Sequence, residues 1–136
     1  MSESKIAIGC AGAGQTTKMV NQILVSCTSE VLAEACGLAE RTGVAATRIP
    51  HALEGGRADS RLLQEVFPKM ARSDFSVAST IAIMMKDLVM IRDLAKKAGA
   101  TTPVVDVTAD LHRRMIEDGF GDRDMSELVT PYRVRR

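Results

Sequence analysis

Apolar residues recur every three or four positions through most of this chain, which is the spacing of one face of an α-helix. The longest such pattern runs from Gln15 to about Arg41 and contains no proline. We expect its apolar positions to face the core, and these are Val20, Ile23, Leu24, Cys27, Val31, Leu32, Ala35 and Leu38. The pattern therefore predicts one long helix near the start of the chain, with the remaining elements arranged around it.

Shorter helical patterns follow, and turn residues separate them. They run from about Ala46 to Leu53, from near Ser60 past Met70, from Ser79 to Ala98, from Thr102 to about Asp118, and from Asp124 through Val129. In the helix that begins near Ser60, the expected apolar face is Leu62, Leu63, Val66, Phe67 and Met70. In the helix that begins at Thr102, it is Val104, Val107, Leu111 and Met115.

Glycine, proline and capping residues mark the helix ends. Gly99 is expected to cap one helix, a threonine followed by Pro103 to open the next, and Asp124 to begin a capping box with Glu127. Pro68 is expected to kink its helix, and Pro131 to end regular structure. The sequence predicts an all-α fold of about five or six helices in a single domain, residues 1–136.

Composition excludes several classes of protein. The 136 residues include 18 basic and 17 acidic ones, a balance that argues against an electrostatic nucleic-acid binder. The longest apolar run, Ile81 to Met85, is far short of the ~20 residues that cross a membrane. The three cysteines are an odd number without a secretory leader and lack the spacing of a zinc site. We therefore predict a cytoplasmic protein with no metal and no membrane partner.

The candidate chemistry lies at the start of the long helix. Glycines at 9, 12 and 14 leave a turn that a ligand can approach closely, and Lys18 follows in what we expect to be the first helical turn. The positive end of the helix dipole disfavours an ammonium group there, so Lys18 is a candidate proton donor and acceptor. Asn21 and Gln22 share its face and are candidates to bind the same ligand. The alternative is a solvated surface lysine.

Two common glycine motifs do not fit this stretch. A phosphate-binding P-loop places its lysine directly after the last glycine, whereas three residues separate Gly14 from Lys18. The dinucleotide fingerprint needs glycine or alanine where Thr17 stands, and a second strand after the strand-like Lys5–Ile8. The residues themselves therefore indicate no nucleotide-binding fold.

Other polar residues carry weaker signals. His51 has no second ligand at a metal-binding spacing, and we favour a structural or surface role. Arg57 lies in a loop and can pair with a carboxylate, although a solvent-facing arginine is the favoured interpretation. Lys86 and Asp87 interrupt an apolar helix, either as its exposed stripe or as a site facing a cleft. Helix geometry alone does not choose between these two.

Four stretches together resemble the β-hydroxyacid dehydrogenases, a family that includes 3-hydroxyisobutyrate dehydrogenase and tartronate semialdehyde reductase. The run from Gly9 to Gln22, Gly-x-x-Gly-x-Gly-Gln-x-x-Lys-x-x-Asn-Gln, is similar to the catalytic-lysine segment of that family. The other matches, in family order, are residues 55–60, Phe75 with Lys86-Asp87-Leu88, and residues 119–126. Members have an N-terminal NAD(P)-binding Rossmann domain and an all-helical C-terminal domain like that of 6-phosphogluconate dehydrogenase. This chain resembles the second domain.

The resemblance implies a role for each candidate residue. Lys18 would be the general acid in carbonyl reduction and the general base in alcohol oxidation, with Gly14, Asn21 and Gln22 next to the substrate. The family often has asparagine where Gln22 stands, so the choice between the two amides stays open. Lys86 would reach the cofactor, while a structural role is favoured for Asp87.

The same resemblance implies partners. The cofactor would be NAD or NADP, held mainly by a Rossmann domain, and the substrate a small hydroxy acid. The eight methionines suit adaptable packing against another domain or subunit, and we expect a homo-oligomer. The alternative is a non-catalytic helical dimerisation module that retains a remnant half-site.

Overall fold

The computed structural model describes residues 12–133, and this part of the chain is all-α, as predicted. It contains six α-helices, α1 Ala13–Arg41, α2 Ile49–Leu53, α3 Arg61–Arg72, α4 Ile81–Ala98, α5 Pro103–Glu117 and α6 Thr130–Arg133. Two short 3-10 helices, Ala46–Arg48 and Met125–Val129, precede α2 and α6. Predictions about Gly9 and the strand-like Lys5–Ile8 concern residues outside the described range.

The predicted helix ends agree closely with the structure, with three corrections. Thr102 precedes α5 as predicted, but its side chain makes no capping hydrogen bond. The other two corrections are near the C-terminus. Pro131 does not end regular structure, because it lies in the first turn of α6, where no intrahelical N–H bond is needed. The capping box at Asp124 is only half formed. Its carboxylate accepts from the Ser126 amide, but Glu127 lies beside the Arg123 guanidinium instead of returning to the Asp124 backbone.

Helix α1 is the centre of the fold, and α3, α4, α5, α6 and the second 3-10 helix all pack on it. Close approach of α6 depends on Gly37, since a Cβ at that position would overlap the Cβ of Tyr132. The main core lies between α1, α3 and the C-terminal 3-10 helix and includes Phe67, Met70 and Leu128. A smaller cluster joins α1, α4 and α5 around Leu88 and Ile91.

The predicted core face of α1 is wrong at five positions, since Val20, Leu24, Val31, Ala35 and Leu38 are all exposed. The buried positions are mostly small or polar: Ser26, Cys27, Ser29, Glu30, Leu32, Ala33, Cys36, Gly37 and Ala39. The physical reason is close helix packing. A central helix surrounded by neighbours buries its small residues, and the size of its apolar residues does not identify the inner face.

A similar correction applies to α5. Val104 and Val107 were predicted to be core residues, but they are exposed, whereas Val105, Thr108 and His112 are buried. Only Met115 of the predicted face is fully buried, and Leu111 is half-buried. As a result, both α1 and α5 present apolar side chains to solvent.

Candidate functional site

A cleft of about 340 Å³ lies between the N-terminal halves of α1 and α4. It brings together residues that are distant in sequence, and its lining consists of Gln15, Lys18, Met19, Gln22, Ile83, Lys86, Asp87, Met90 and Ile91. Three predicted site residues, Lys18, Gln22 and Lys86, are therefore in one cleft. Helix packing places them there, because α1 and α4 share the apolar cluster that includes Ile23, Met85 and Ile91.

Two amides and a carboxylate form a hydrogen-bonded chain at this cleft. The Gln22 side-chain amide nitrogen donates to Asp87 Oδ2 at 2.6 Å, which joins α1 to α4. Asn21 Nδ2 in turn donates to Gln22 Oε1 at 3.1 Å. The Gln22 amide is thus held in one orientation by its neighbours. Asp87 lines the cleft and accepts the hydrogen bond that joins the two helices, which agrees with the structural role favoured from the sequence.

The two lysines make the cleft suited to an anion. Lys18 and Lys86 both have exposed side chains, and neither ammonium group has a hydrogen-bond or ion-pair partner among residues 12–133. Two cations on one partly apolar wall attract a carboxylate or phosphate and leave their N–H groups free to donate. Such a cleft can bind a small acid and transfer a proton to it.

Lys18 lies one turn deeper in α1 than the sequence indicated. Because α1 begins at Ala13, Lys18 is in its second turn. The field of the helix terminus falls off within the first turn, so the dipole argument for an unusual lysine is weaker than expected. The helix begins after Gly12, whose φ of 88° favours glycine.

The remaining predicted residues are outside the cleft lining. Gly14 is exposed, and a Cβ placed on it would meet no atom of the described chain within 4 Å. Asn21 is exposed and reaches the cleft only through Gln22. His51 and Arg57 are also exposed and lie elsewhere. In the described part of the chain, no three His, Cys, Asp or Glu side chains are placed to hold a metal ion.

Gln15 is a lining residue that the sequence analysis missed. The signal was present, because Gln15, Lys18 and Gln22 follow one another at i, i+3 and i+7 and so form one polar stripe on α1. The apolar wall formed by Met19, Met90 and Ile91 was not recognisable in advance, since these residues have the same pattern as core positions.

A second cluster of titratable groups is buried away from the cleft. Tyr132 Oη donates to Glu30 Oε1 at 2.5 Å, and the fully buried His112 lies 3.4 Å from Glu30 Oε2. His112 Nδ1 donates instead to the Thr108 carbonyl oxygen at 2.9 Å. Burial raises the pKa of Glu30 to about 7 despite the Tyr132 hydrogen bond, and burial lowers the pKa of His112. Both groups therefore favour their neutral forms in the folded protein.

Glu30→Gln is expected to flatten the dependence of stability on pH. Because folding raises the Glu30 pKa from 4.5 to about 7, its stabilisation is complete below pH 4.5 and is lost as the pH rises through about 7. The loss amounts to about 3 kcal/mol. Urea unfolding of wild type and Glu30→Gln at several pH values between 5 and 8 would measure this loss, as the difference between their free energies of unfolding.

Comparing wild type with Glu30→Gln isolates the contribution of Glu30, because the opposite pH dependence of His112 is present in both proteins. Its lowered pKa gives stabilisation that is present above pH 6.5 and is lost as the pH falls, in both proteins. Glu34→Gln, one turn away and exposed, removes only the smaller of the two effects that raise the Glu30 pKa, so it should keep most of the wild-type profile. Parallel curves for wild type and Glu30→Gln would contradict the prediction.

No helix in residues 12–133 is long and apolar enough to span a lipid bilayer.

Comparison with known proteins gives a family match over residues 12–132, described as the NAD-binding part of NADP-dependent 3-hydroxyisobutyrate dehydrogenase. The chain is 33% identical to 2-hydroxy-3-oxopropionate reductase of Escherichia coli over 122 residues, which are 90% of this chain and 42% of that protein. It is 29% identical over 142 residues to a probable 3-hydroxyisobutyrate dehydrogenase of Mycobacterium tuberculosis, covering 99% of this chain and 48% of that enzyme.

Solved structures show the same fold. The Mycobacterium tuberculosis 3-hydroxyisobutyrate dehydrogenase studied with L-serine superposes with a TM-score of 0.83 at 28% identity, covering 95% of this chain and 46% of that one. The Salmonella typhimurium 3-hydroxyisobutyrate dehydrogenase gives a TM-score of 0.82 at 24% identity, over 88% of this chain and 42% of the other. At that identity the second match shows the fold alone.

The chain spans less than half the length of these relatives. The part it matches is helical, as the described residues are, and the match runs through α1, α4 and the C-terminal turn. The resemblance noted from the sequence is therefore confirmed, and the chain belongs to the NADP-dependent 3-hydroxyisobutyrate dehydrogenase family.

Proposed function

We propose that this chain is the helical, catalytic-lysine part of an NAD(P)-dependent dehydrogenase that interconverts a small hydroxy acid and its semialdehyde or keto acid. The observation that carries the proposal is the cleft in which Lys18, Gln22 and Lys86 meet. Relatives are named for 3-hydroxyisobutyrate and for 2-hydroxy-3-oxopropionate, both small carboxylic acids that carry a hydroxyl group. An anion of this size matches the charge and the volume of the cleft.

In this proposal Lys18 transfers the proton. During reduction its ammonium group donates a proton to the carbonyl oxygen, and during oxidation the neutral amine takes the proton from the hydroxyl group. Gln22, fixed by Asp87, orients the oxygen-bearing end of the substrate, with Asn21 supporting it and Gly14 leaving room for the substrate to approach.

NAD or NADP, when bound, supplies or accepts the hydride. The described residues form helices only and offer no strand-turn-helix unit for a dinucleotide, so a Rossmann domain would hold most of the cofactor. Among the described residues, the cleft is the place that suits part of this cofactor, because Lys86 provides a cation there and Met19 and Met90 provide an apolar wall. Lys86 would contact the cofactor there.

The proposed enzyme is a homo-oligomer that acts in the cytoplasm. The cytoplasmic location is supported by Cys27 and Cys36, which are buried free thiols in this structure. Self-association is supported by the apolar side chains that α1 and α5 expose.

The proposal is tested with a protein that contains this chain together with its nucleotide-binding half. We expect it to oxidise one or more small hydroxy acids, such as 3-hydroxyisobutyrate, glycerate or L-serine, with NAD⁺ or NADP⁺, as followed by the absorbance of the reduced cofactor. The 136-residue chain by itself should not bind NADH or NADPH at micromolar concentration. A folded protein that binds the cofactor but oxidises none of these acids would favour the non-catalytic dimerisation module.

Asp87→Asn in the same protein is expected to lower kcat/KM for the hydroxy acid by about tenfold, because a hydrogen bond to a charged group contributes about 1.5–3 kcal/mol. The Gln22 amide then has only an uncharged acceptor, so its orientation is held less firmly while the fold is kept. Steady-state kinetics measures the effect, and Asp93→Asn, on the same helix but outside the cleft lining, is the control. Equal kcat/KM values for Asp87→Asn and wild type would show that Asp87 does not position Gln22.

A further inference from the structure

The cleft between α1 and α4 continues into a second hollow of about 310 Å³ toward the start of α1. Gln15, Met19 and Met90 line both spaces, and we call these three residues the ledge. The lining of the second hollow is completed by Thr16, Asp93, Leu94 and Lys97. The ledge therefore separates the end of the cleft that contains the candidate acid-binding groups from a neighbouring space of its own.

Gln15 carries a primary amide that no group of residues 12–133 uses. Its side chain is exposed and makes no hydrogen bond to that part of the chain. Gln22 differs, because its amide nitrogen donates to Asp87 and its oxygen accepts from Asn21. The Gln15 amide thus keeps its carbonyl oxygen and both N–H groups for a ligand that can donate and accept.

A small acid bound beside Lys18 and Gln22 leaves Gln15 unused. The seven positions between the two glutamines place Gln15 about 10 Å from Gln22 along α1. Lys86 lies at the Gln22 end of the cleft, because it is adjacent on α4 to the residue that accepts the Gln22 hydrogen bond. Both ammonium groups of the cleft are therefore on the Gln22 side of Gln15, and they draw an acid anion away from it.

We propose that Gln15 pairs with the carboxamide of the nicotinamide ring, and that the ring lies on the ledge against Met19 and Met90. A carboxamide has the same acceptor and donor groups as a glutamine side chain, so the two amides can exchange two hydrogen bonds. Methionine sulfur makes favourable contacts with aromatic rings, and the oxidised nicotinamide is such a ring. This inference rests on the proposed function and names a residue that would orient its cofactor.

The position of the ledge agrees with proton transfer by Lys18. Lys18 follows Gln15 by one helical turn and is next to Met19, so along α1 it lies between Gln15 and Gln22. A ring on the ledge and an acid beside Gln22 would then meet next to the Lys18 ammonium group. Gln15 orients the ring in this arrangement and takes no part in proton transfer.

Binding of a cofactor that lacks the amide nitrogen tests the pairing. In the 3-acetylpyridine analogue of NADH a methyl group replaces the amide NH₂, so the Gln15 oxygen has nothing to accept from. We expect calorimetry, on a protein that contains this chain and its nucleotide-binding half, to show that NADH binds about tenfold more tightly than the analogue. If NADPH binds more tightly than NADH, NADPH and its analogue are compared in the same way.

Two substitutions at Gln15 should change this preference in different ways. Gln15→Met removes the acceptor and should reduce the preference to about twofold. Gln15→Glu still accepts from the amide nitrogen and should keep the preference, which a role of Gln15 in folding alone would not explain. Thr16→Met is the control, because it alters the second hollow next to Gln15 without changing the ledge, and it should also keep the preference.

The possible results separate this inference from the proposed function. An unchanged preference in Gln15→Met, with a fold that circular dichroism shows to be intact, would overturn the pairing. A raised KM for the hydroxy acid with the preference intact would also overturn it, since Gln15 would then bind the acid. A wild-type protein that binds neither NADH nor NADPH would overturn the proposed function together with the pairing.

Discussion

Replacing Lys18 with methionine is expected to lower kcat for hydroxy-acid oxidation on the order of 10³-fold, within the range that general acid–base catalysis contributes. Lys18 lines the cleft beside Gln22 and Lys86, and no group of residues 12–133 holds its ammonium in an ion pair. Methionine keeps the length and the apolar part of the side chain but transfers no proton. Steady-state kinetics in both directions, on a protein with both halves, measures the effect.

Three comparisons separate proton transfer from folding and from charge. Lys96→Met removes an exposed lysine of α4 that lies outside the cleft lining and should leave kcat unchanged. Lys18→Arg keeps the positive charge but holds its proton too firmly to exchange it near neutral pH, so it should be nearly as inactive as Lys18→Met. Unfolding by urea should be the same for all variants. A Lys18→Met enzyme with more than about a tenth of the wild-type kcat would remove Lys18 from the reaction.

Secondary structure was largely predictable from the sequence because helix signals are local. The three-to-four spacing repeats from turn to turn, and Pro103 and Gly99 lie at the helix ends that they mark. The inner face of α1 was not predictable, since both of its sides are apolar. Only the positions of the neighbouring helices decide that Ala33 and Cys36 are inside and that Leu24 and Leu38 are outside.

The site was predictable in part. Lys18 was suggested by its position after the glycine turn and Lys86 by family resemblance, but the cleft that joins them depends on how α1 packs against α4. Asp87 illustrates the limit, because its partner Gln22 is 65 positions away in sequence and no spacing rule connects them. The aspartate at 124 was recognised as a helix cap, yet most of its hydrogen-bond donors come from other elements.

Asp124→Ala is expected to destabilise the fold by about 3–5 kcal/mol, the cost of removing one partner of a buried ion pair. The Asp124 carboxylate is fully buried and lies 3.0 Å from Lys69 Nζ. It also accepts from the backbone amides of Ala78 at 2.8 Å and Ser79 at 3.2 Å, and from the amide and hydroxyl of Ser126. Burial raises its pKa, but these hydrogen bonds outweigh burial and hold the pKa well below its usual range.

The effect is large because one side chain connects three parts of the chain: α3 through Lys69, the loop before α4, and the C-terminal 3-10 helix. Alanine removes the counter-charge of the Lys69 ammonium, which keeps its hydrogen bond to the Ser76 carbonyl oxygen, and leaves three backbone amides without this acceptor. A domain with only 5–15 kcal/mol of stability loses much of it. Urea unfolding at neutral pH measures the loss, and Asp122→Ala, exposed in the same turn, is the control with a change near zero.

The acid side of the stability curve gives an independent readout of the same carboxylate. Because folding lowers the Asp124 pKa, its stabilisation is present above the ordinary pKa of 3.8 and is lost as the pH falls below it. Wild type should therefore lose stability toward low pH more steeply than Asp124→Ala. Ser126→Ala, which removes a single donor, should cost about 1 kcal/mol and keep most of that pH dependence. Equal stability of Asp124→Ala and Asp122→Ala would mean that the buried carboxylate does not hold these elements together.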